Sequence, residues 1–155
     1  MASALVVFGY NDTREVYGQF LRHQGLIVYE ASHPSVALGE ILETGIAPDV
    51  VICDGRFADP KVDAVSFVSQ LRSRLDAATS IIVVSGLMRE EDREPFRVAG
   101  ADLFLLMPAL PSALMYEVKR ALILRRSGRR LSWNWPKPTI KAPSGWTDRR
   151  RKVVV

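Results

Sequence analysis

The chain has 155 residues, which is enough for one domain with a full hydrophobic core and too few for two domains of ordinary size. Apolar residues make up 48% of the sequence and charged residues 25%, a balance that excludes an intrinsically disordered chain. The net charge of +4 is unevenly distributed, because residues 1–124 carry 11 Lys and Arg against 16 Asp and Glu, whereas residues 125–155 carry 10 against 1. A basic surface is therefore expected only in the last part of the chain.

The first predicted element is the apolar run Leu5–Phe8 near the N-terminus. Gly9, Asn11 and Asp12 interrupt the apolar sequence too early for a signal peptide or a membrane span. The single cysteine, Cys53, lies in another apolar run, so we interpret it as a small core residue and exclude a disulfide framework. These features predict a cytoplasmic protein without a transmembrane segment.

Short apolar runs alternate along the chain with longer amphipathic segments, which is typical of βα units that form a parallel sheet. Each run is apolar at successive positions, as expected for strands covered by helices on both faces. The five runs are Leu5–Phe8, Leu26–Tyr29, Val50–Cys53, Ile81–Val84 and Leu103–Leu106.

Five helices are predicted between and after these runs. The first begins at Asp12–Glu15, which has the form of a capping box, and the second runs from Ser32 and Pro34 to about Gly45. The last three are marked by apolar side chains at helical spacing or by terminal Gly and Pro residues: Val65 to Leu75, Glu90 to Ala99, and Pro111 to Leu122.

Ligands of open parallel sheets bind beyond the carboxyl ends of the strands, so the residues that follow each run are the candidate functional residues. They are Phe8–Tyr10, Asp54–Arg56, Ser85–Gly86 and Met107–Pro108. We expect these four segments to meet at one edge of the sheet. Asp54 is the acidic residue among them.

The sequence here resembles the receiver domain of two-component response regulators. The segments that carry the resemblance are PDVVICD at 48–54, IIVVSG at 81–86 and AGADLFLLMP at 99–108, and it extends over about residues 3–124. It implies an α/β, flavodoxin-like three-layer sandwich with a five-stranded parallel sheet in the order 2-1-3-4-5 and five helices. The predicted division is a receiver-like domain at 1–124 and a basic C-terminal tail at 125–155.

The resemblance also implies roles for individual residues. Asp54 matches the aspartate that accepts a phosphoryl group, Ser85 the hydroxyl residue that contacts this group, and Gly86 the small residue that leaves space for it. Phe104 matches the aromatic residue that rotates inward on activation. A cis peptide bond is implied before Pro108.

Three charged positions of the family pattern are changed in this sequence. The acidic pair that holds Mg²⁺ falls on Phe8 and Gly9, and the lysine falls on Met107. Phosphoryl transfer depends on electrostatic positioning, and Mg²⁺ prefers several oxygen ligands. We therefore expect no metal site, no cofactor and no Mg²⁺ binding, and phosphorylation of Asp54 should be severely impaired.

Simpler interpretations of the same residues stay open. Asp54 can cap a turn with Gly55, Ser85 can be a strand-end hydroxyl, and Phe104 can be a core residue. Met107 is expected to pack against Phe8 in the space that the charged residues would occupy.

The C-terminal tail combines arginine pairs with three tryptophans and several prolines. Such a sequence can bind nucleic acid or an anionic membrane surface, or it can be a solvated tail or a strap over the acidic domain. The sequence does not decide between these alternatives.

The function predicted from the sequence is a stand-alone, degenerate receiver domain rather than an enzyme. It would bind a signalling protein through the face formed by the fourth helix, fifth strand and fifth helix, without depending on phosphorylation, and a homodimer is left open. The alternatives are a true phosphorelay receiver phosphorylated on Asp54 and an adaptor that binds nucleic acid through its tail.

Overall fold

The five apolar runs form the strands of one parallel sheet in a computed structural model that describes residues 1–86 and 89–132. The strands are β1 (Ser3–Val7), β2 (Ile27–Ala31), β3 (Val50–Asp54), β4 (Ser80–Ser85) and β5 (Leu103–Leu106). Their order in the sheet is β2-β1-β3-β4-β5. The predicted flavodoxin-like topology is thus confirmed.

Helices follow the strands as predicted. They are α1 (Asn11–His23), α2 (Pro34–Val36), α3 (Ala64–Arg74), α4 (Glu90–Ala99) and α5 (Pro111–Arg126). The second helix is less regular than its sequence suggested, because α2 continues as a π-helical turn (Ala37–Ile41) and a 3-10 turn (Leu42–Thr44) before Gly45 ends it with a φ of 88°. None of the helices described is both long and apolar enough to cross a bilayer.

Apolar side chains of the strands alternate between the two faces of the sheet, and both faces are covered. Leu5, Val51 and Val83 pack with α3 and α4 on one face, and Val6 and Ile52 pack with α1 and α5 on the other. This alternation explains why each run is apolar at successive positions. The result is a three-layer sandwich with a core on each side of the sheet.

The start of α1 differs from the prediction. Tyr10 is the N-cap residue, no side chain caps the helix, and Asp12 lies exposed within its first turn. The predicted capping box at Asp12–Glu15 is therefore wrong. The N-cap lies two residues earlier than the capping box predicted, and the first helical backbone bond runs from the Arg14 N–H to the Tyr10 carbonyl at 3.1 Å.

The packed domain continues past the boundary predicted after Leu124. Helix α5 ends at Arg126, and Leu131 is 2% exposed within the core on the α1 and α5 face. The remainder of the predicted tail, residues 133–155 with its three tryptophans, lies outside the described residues.

Candidate functional site

The carboxyl ends of β1, β3 and β4 bring the predicted site residues to one edge of the sheet. On one side of β3, Val7 pairs with Cys53, the residue before Asp54, and Phe8 follows Val7. On the other side, Val84 pairs with Asp54 itself, and Ser85 follows Val84. Ser85 is in turn paired with Leu106, which puts Met107 at the same edge. The parallel register therefore brings together the four segments that the sequence analysis selected.

Asp54 is a buried carboxylate at this edge, with 9% of the residue exposed. The backbone N–H of Arg56 donates to its Oδ1 atom at 3.2 Å. Burial raises the pKa of Asp54 above its usual value, while hydrogen bonds from the N–H groups of Arg56 and Gly55 and from the Ser85 hydroxyl oppose this rise. The charge of Arg56 acts in the same opposing direction, although its residue is exposed. The charged form of Asp54 is thus stabilised more by backbone N–H groups than by the neighbouring cation Arg56.

The residue that follows β1 at this edge, Phe8, is apolar. Phe8 is 1% exposed and belongs to the same core cluster as Tyr17, and Met107 packs against that cluster. Gly9 is exposed, and a Cβ atom there would have only the Ser32 carbonyl oxygen within 4 Å, at 3.7 Å. At this edge, Phe8 therefore provides an aromatic ring, and Gly9 provides backbone without a side chain.

Gly86 and Met107 are neighbours across the ends of β4 and β5. The Met107 N–H donates to the Ser85 carbonyl at 3.0 Å, and a Cβ atom on Gly86 would lie 3.8 Å from the Met107 Cβ atom. The Met107–Pro108 peptide bond is cis, as the resemblance implied. The side chain at position 107 is thus held beside the small residue that follows Ser85.

Phe104 lies further from the edge, within the sheet, where it pairs with Val83. Its side chain is fully buried on the α3 and α4 face, 6.3 Å from the ring of Phe96. The guanidinium of Arg93, from α4, lies 5.2 Å from the centroid of its ring. Phe104 is therefore enclosed by core residues and covered by an arginine in this conformation.

Tyr17 is a site residue that the sequence analysis missed. Its ring meets Phe8 edge-on with centroids 5.4 Å apart, and its hydroxyl donates to the Ala109 carbonyl at 2.8 Å. Burial and the nearby charge of Asp54 both raise the pKa of Tyr17. Its position four residues before Leu21 on the apolar face of α1 was the available signal, but that pattern reveals only a core residue.

Arg14 brings a cation to the same end of β1. Its Nη1 atom donates to the Phe8 carbonyl at 2.7 Å, and its Nη2 atom donates to the Asn11 side chain at 2.6 Å. Its Nε atom is also 3.5 Å from Glu30. Arg14 therefore fixes the backbone after β1, with its charge directed toward Glu30.

The loop that follows Asp54 is fixed by a different carboxylate, Asp59. Its Oδ2 atom accepts from the backbone N–H and the hydroxyl of Ser35 at 2.9 and 2.7 Å, and its Oδ1 atom accepts from the Lys61 N–H. These bonds hold the pKa of Asp59 below its usual range, the largest cause being the Lys61 N–H. Asp59 is thus engaged in holding the loop to the start of α2.

An open cleft lies beside the site, between this loop and α4. It is lined by Gly55 and Arg56, which follow Asp54, by Asp63 and Ala64 at the start of α3, and by Phe96. Within residues 1–86 and 89–132 there is no group of three or more His, Cys, Asp and Glu side chains that could hold a metal ion. Among the described residues, the chemistry of this edge rests on the Asp54 carboxylate and the Ser85 hydroxyl.

No protein-family model matches the sequence, and no curated protein matches it. The fold does match solved structures. A response regulator receiver domain protein from Clostridium thermocellum has a TM-score of 0.72 at 20% identity, with 82% of this chain and 98% of that chain covered. The chemotaxis protein CheY4 of Vibrio cholerae has a TM-score of 0.70 at 25% identity, with 79% and 99% covered.

A putative two-component system response regulator/GGDEF domain protein has 32% identity and a TM-score of 0.69. The match covers 79% of this chain but only 49% of that protein, so the similarity concerns about half of its length. These neighbours share the sheet order and the helix arrangement described above. The described part of this chain therefore has the CheY-like fold of response regulator receiver domains.

Proposed function

We propose that this protein is a signalling interaction module with the receiver fold that works without Mg²⁺-dependent phosphorylation and is not an enzyme. The observation that carries the proposal is the buried ring of Phe8, which follows β1 beside Asp54. Mg²⁺ requires several oxygen ligands, and the residues around Asp54 do not fit it, because Phe8 and Gly9 carry no side-chain oxygen. Met107 likewise offers no positive charge to a phosphoryl group.

Exposed apolar side chains support a protein partner on the face formed by α4, β5 and α5. Leu110, Tyr116 and Ile123, at or near α5, are 61–69% exposed. Val98 of α4 is also exposed, but it lines an open groove with Val65 and Ser69 of α3 and does not belong to this face. Such residues are common in protein interfaces, whose centres are enriched in aromatic side chains. Arg93, whose guanidinium lies over the ring of Phe104, links α4 to β5 next to this face.

The proposal is tested by incubating the full chain with Mg²⁺ and acetyl phosphate and measuring its intact mass. A receiver domain with the complete set of charged residues serves as the positive control, and Asp54→Asn serves as the negative control. We expect wild-type protein and D54N each to keep its own unmodified mass, while the positive control gains one phosphoryl group. A stoichiometric mass gain in the wild type that D54N lacks would overturn the proposal.

The second candidate is a phosphorelay receiver that is phosphorylated on Asp54. The hydrogen bond from the Ser85 hydroxyl to Asp54 favours it, because that hydroxyl is placed to contact a group attached to the carboxylate. This candidate requires a replacement cation site. It predicts saturable NMR shifts of the Gly55 and Arg56 amides on titration with Mg²⁺, whereas our proposal predicts none.

The third candidate is an adaptor that binds nucleic acid through the basic segment. At least two of the ten basic residues in 125–155 are already paired within the domain, since Arg125 lies 2.9 Å from Asp49 and Arg130 lies 2.7 Å from Asp102. Binding by the remaining cations would weaken steeply with salt. Comparison of the full chain with residues 1–132 on a labelled DNA duplex tests this, and equal affinity of the two would reject it.

A further inference from the structure

The segment after α5 turns back under the amino-terminal edge of the sheet. Gly128 has a φ of 70°, in the left-handed region that favours glycine, and its N–H donates to the Arg125 carbonyl at 2.9 Å. The Arg129 N–H donates to the Leu124 carbonyl at 3.0 Å. These bonds end the helix and direct the following residues toward the start of β4 and β5, at the edge opposite Asp54.

Arg130 makes the first contact of this segment with the sheet. Its Nε atom donates to Oδ1 of Asp102 at 2.7 Å, and its Nη1 atom donates to the Ala77 carbonyl at 3.0 Å. Asp102 comes directly before β5 and is 4% exposed. Hydrogen bonds between a guanidinium and a carboxylate are shorter and stronger than those between neutral groups. The guanidinium of Arg130 is therefore a fixed contact and not a free surface cation.

Leu131 makes the second contact. Its backbone N–H donates to the Ser80 Oγ atom at 2.9 Å, and Ser80, the first residue of β4, is fully buried. The Leu131 side chain is 2% exposed and belongs to the core cluster that contains Leu114 and Val118 of α5. A polar contact and an apolar contact from consecutive residues thus hold the segment against the domain.

Asp102 has other partners that do not depend on Arg130. Its Oδ2 atom accepts from Nη2 of Arg72 at 2.6 Å and from the Ile81 N–H at 2.8 Å. If Arg130 were lost, the Asp102 carboxylate would still be paired with one cation, Arg72, and one backbone donor, the Ile81 N–H. The buried negative charge of Asp102 would therefore remain compensated. Opening of the segment is thus separable from unfolding of the domain.

We propose that residues 127–132 form a releasable clasp that anchors the basic C-terminal segment to the amino-terminal edge of the sheet. In the closed state the clasp holds the start of that segment at the end of the domain opposite Asp54. In the open state Arg130 and Leu131 leave Asp102 and the core together while the sheet stays folded.

Native-state hydrogen exchange on the full chain tests this inference at the Leu131 amide. In the wild type we expect this amide to be protected, but to exchange at least about 10-fold faster than the Ile82 and Val83 amides in the centre of β4, because local opening is easier than global unfolding. Arg130→Gln should accelerate exchange at Leu131 by about 10-fold or more. In both proteins the exchange rate of Leu131 should stay nearly constant at low urea concentrations, while the rates of the β4 amides rise with urea, because local opening exposes little surface.

Arg129→Gln is the matched control, since it removes the same charge from an exposed neighbour and should leave exchange at Leu131 unchanged. Leu131→Ala is the second variant, and it should accelerate exchange at its own amide with the Arg130 side chain intact. The inference is overturned if the wild-type Leu131 amide is unprotected, if its exchange depends on urea as steeply as that of the β4 amides, or if R129Q and R130Q behave alike.

Discussion

The ring of Phe8 meets the ring of Tyr17 edge-on, with centroids 5.4 Å apart and planes inclined at 60°. Because the Tyr17 hydroxyl donates to the Ala109 carbonyl, one side chain of α1 connects the end of β1 to the loop before α5. This connection crosses the edge where Asp54 lies. An apolar contact therefore organises a region in which a phosphorylated domain would need charges.

Phe8 should be a major contributor to stability. Phe8→Ala removes a side chain that is 1% exposed and leaves a cavity beside Tyr17, so the free energy of unfolding should fall by about 3–5 kcal/mol. Urea denaturation measures this change. Phe20→Ala, at a partly buried position of the same core cluster, should cost clearly less, and an equal loss for both variants would contradict the role assigned to Phe8.

The hydroxyl of Tyr17 should contribute separately from its ring. Tyr17→Phe keeps the contact with Phe8 but leaves the Ala109 carbonyl without this donor, so we expect a loss of about 1 kcal/mol in the free energy of unfolding. Tyr116→Phe, at a position 65% exposed, should change it little. If the two variants were equally stable, the hydrogen bond from Tyr17 would contribute nothing measurable.

Asp54 should make stability depend on pH. Burial raises the pKa of Asp54 in the folded state above its value in the unfolded chain. The contribution of Asp54 to the stability of the wild type is therefore fully present below the unfolded pKa, and it is lost as the pH rises through the folded pKa. Asp54→Asn removes this loss. The free energy of unfolding of D54N relative to wild type should therefore increase as the pH rises from about 3 to 7. A difference that is constant over this range would contradict the raised pKa.

Ser85 should influence the same ionisation. Its hydroxyl stabilises the Asp54 carboxylate, so Ser85→Ala should raise the pKa of Asp54 further above its usual value. A ¹³C NMR titration of the Asp54 side-chain carboxyl measures this shift directly. A pKa that stays unchanged or falls in S85A would show that the hydroxyl does not stabilise the charged form.

Arg93 and Phe104 should be energetically coupled. A guanidinium near the face of a largely desolvated ring contributes about 0.5–2 kcal/mol, and the 5.2 Å separation lies within the usual range. A double-mutant cycle with Arg93→Met and Phe104→Leu isolates this contribution from the other contacts of either residue. A coupling energy near zero would mean that Arg93 does not help to hold Phe104 in its buried orientation.

The sequence was sufficient to predict the sheet because its strands are covered on both faces. Val50, Val51 and Ile52 are all fully buried, and such a run has few alternatives once helices precede and follow it. The position of Asp54 at the carboxyl edge followed from the same reasoning. The irregular turns of Ala37–Thr44 could not be predicted, because π-helical and 3-10 geometry leave no distinct pattern in an apolar segment.

The contacts of Arg130 and Tyr17 were not predictable from local sequence. Arg130 pairs with Asp102, 28 residues away, and within a run of like charges it resembles a solvated surface residue. The Tyr17 hydroxyl finds its acceptor 92 residues later. Periodicity identifies which face of a helix is buried, but only the tertiary arrangement determines which polar groups become partners.

The two ends of the sheet should respond to different properties of the solvent. The amino-terminal edge is held partly by Arg125 on Asp49 and Arg130 on Asp102, so added salt screens part of its stabilisation, most at the partly exposed pair of Arg125 and Asp49. The carboxyl-terminal edge is held largely by apolar contacts around Phe8, which weaken on cooling. Added salt should therefore weaken the attachment of the C-terminal segment first, whereas cooling should weaken the apolar core on both faces of the sheet, Leu131 included.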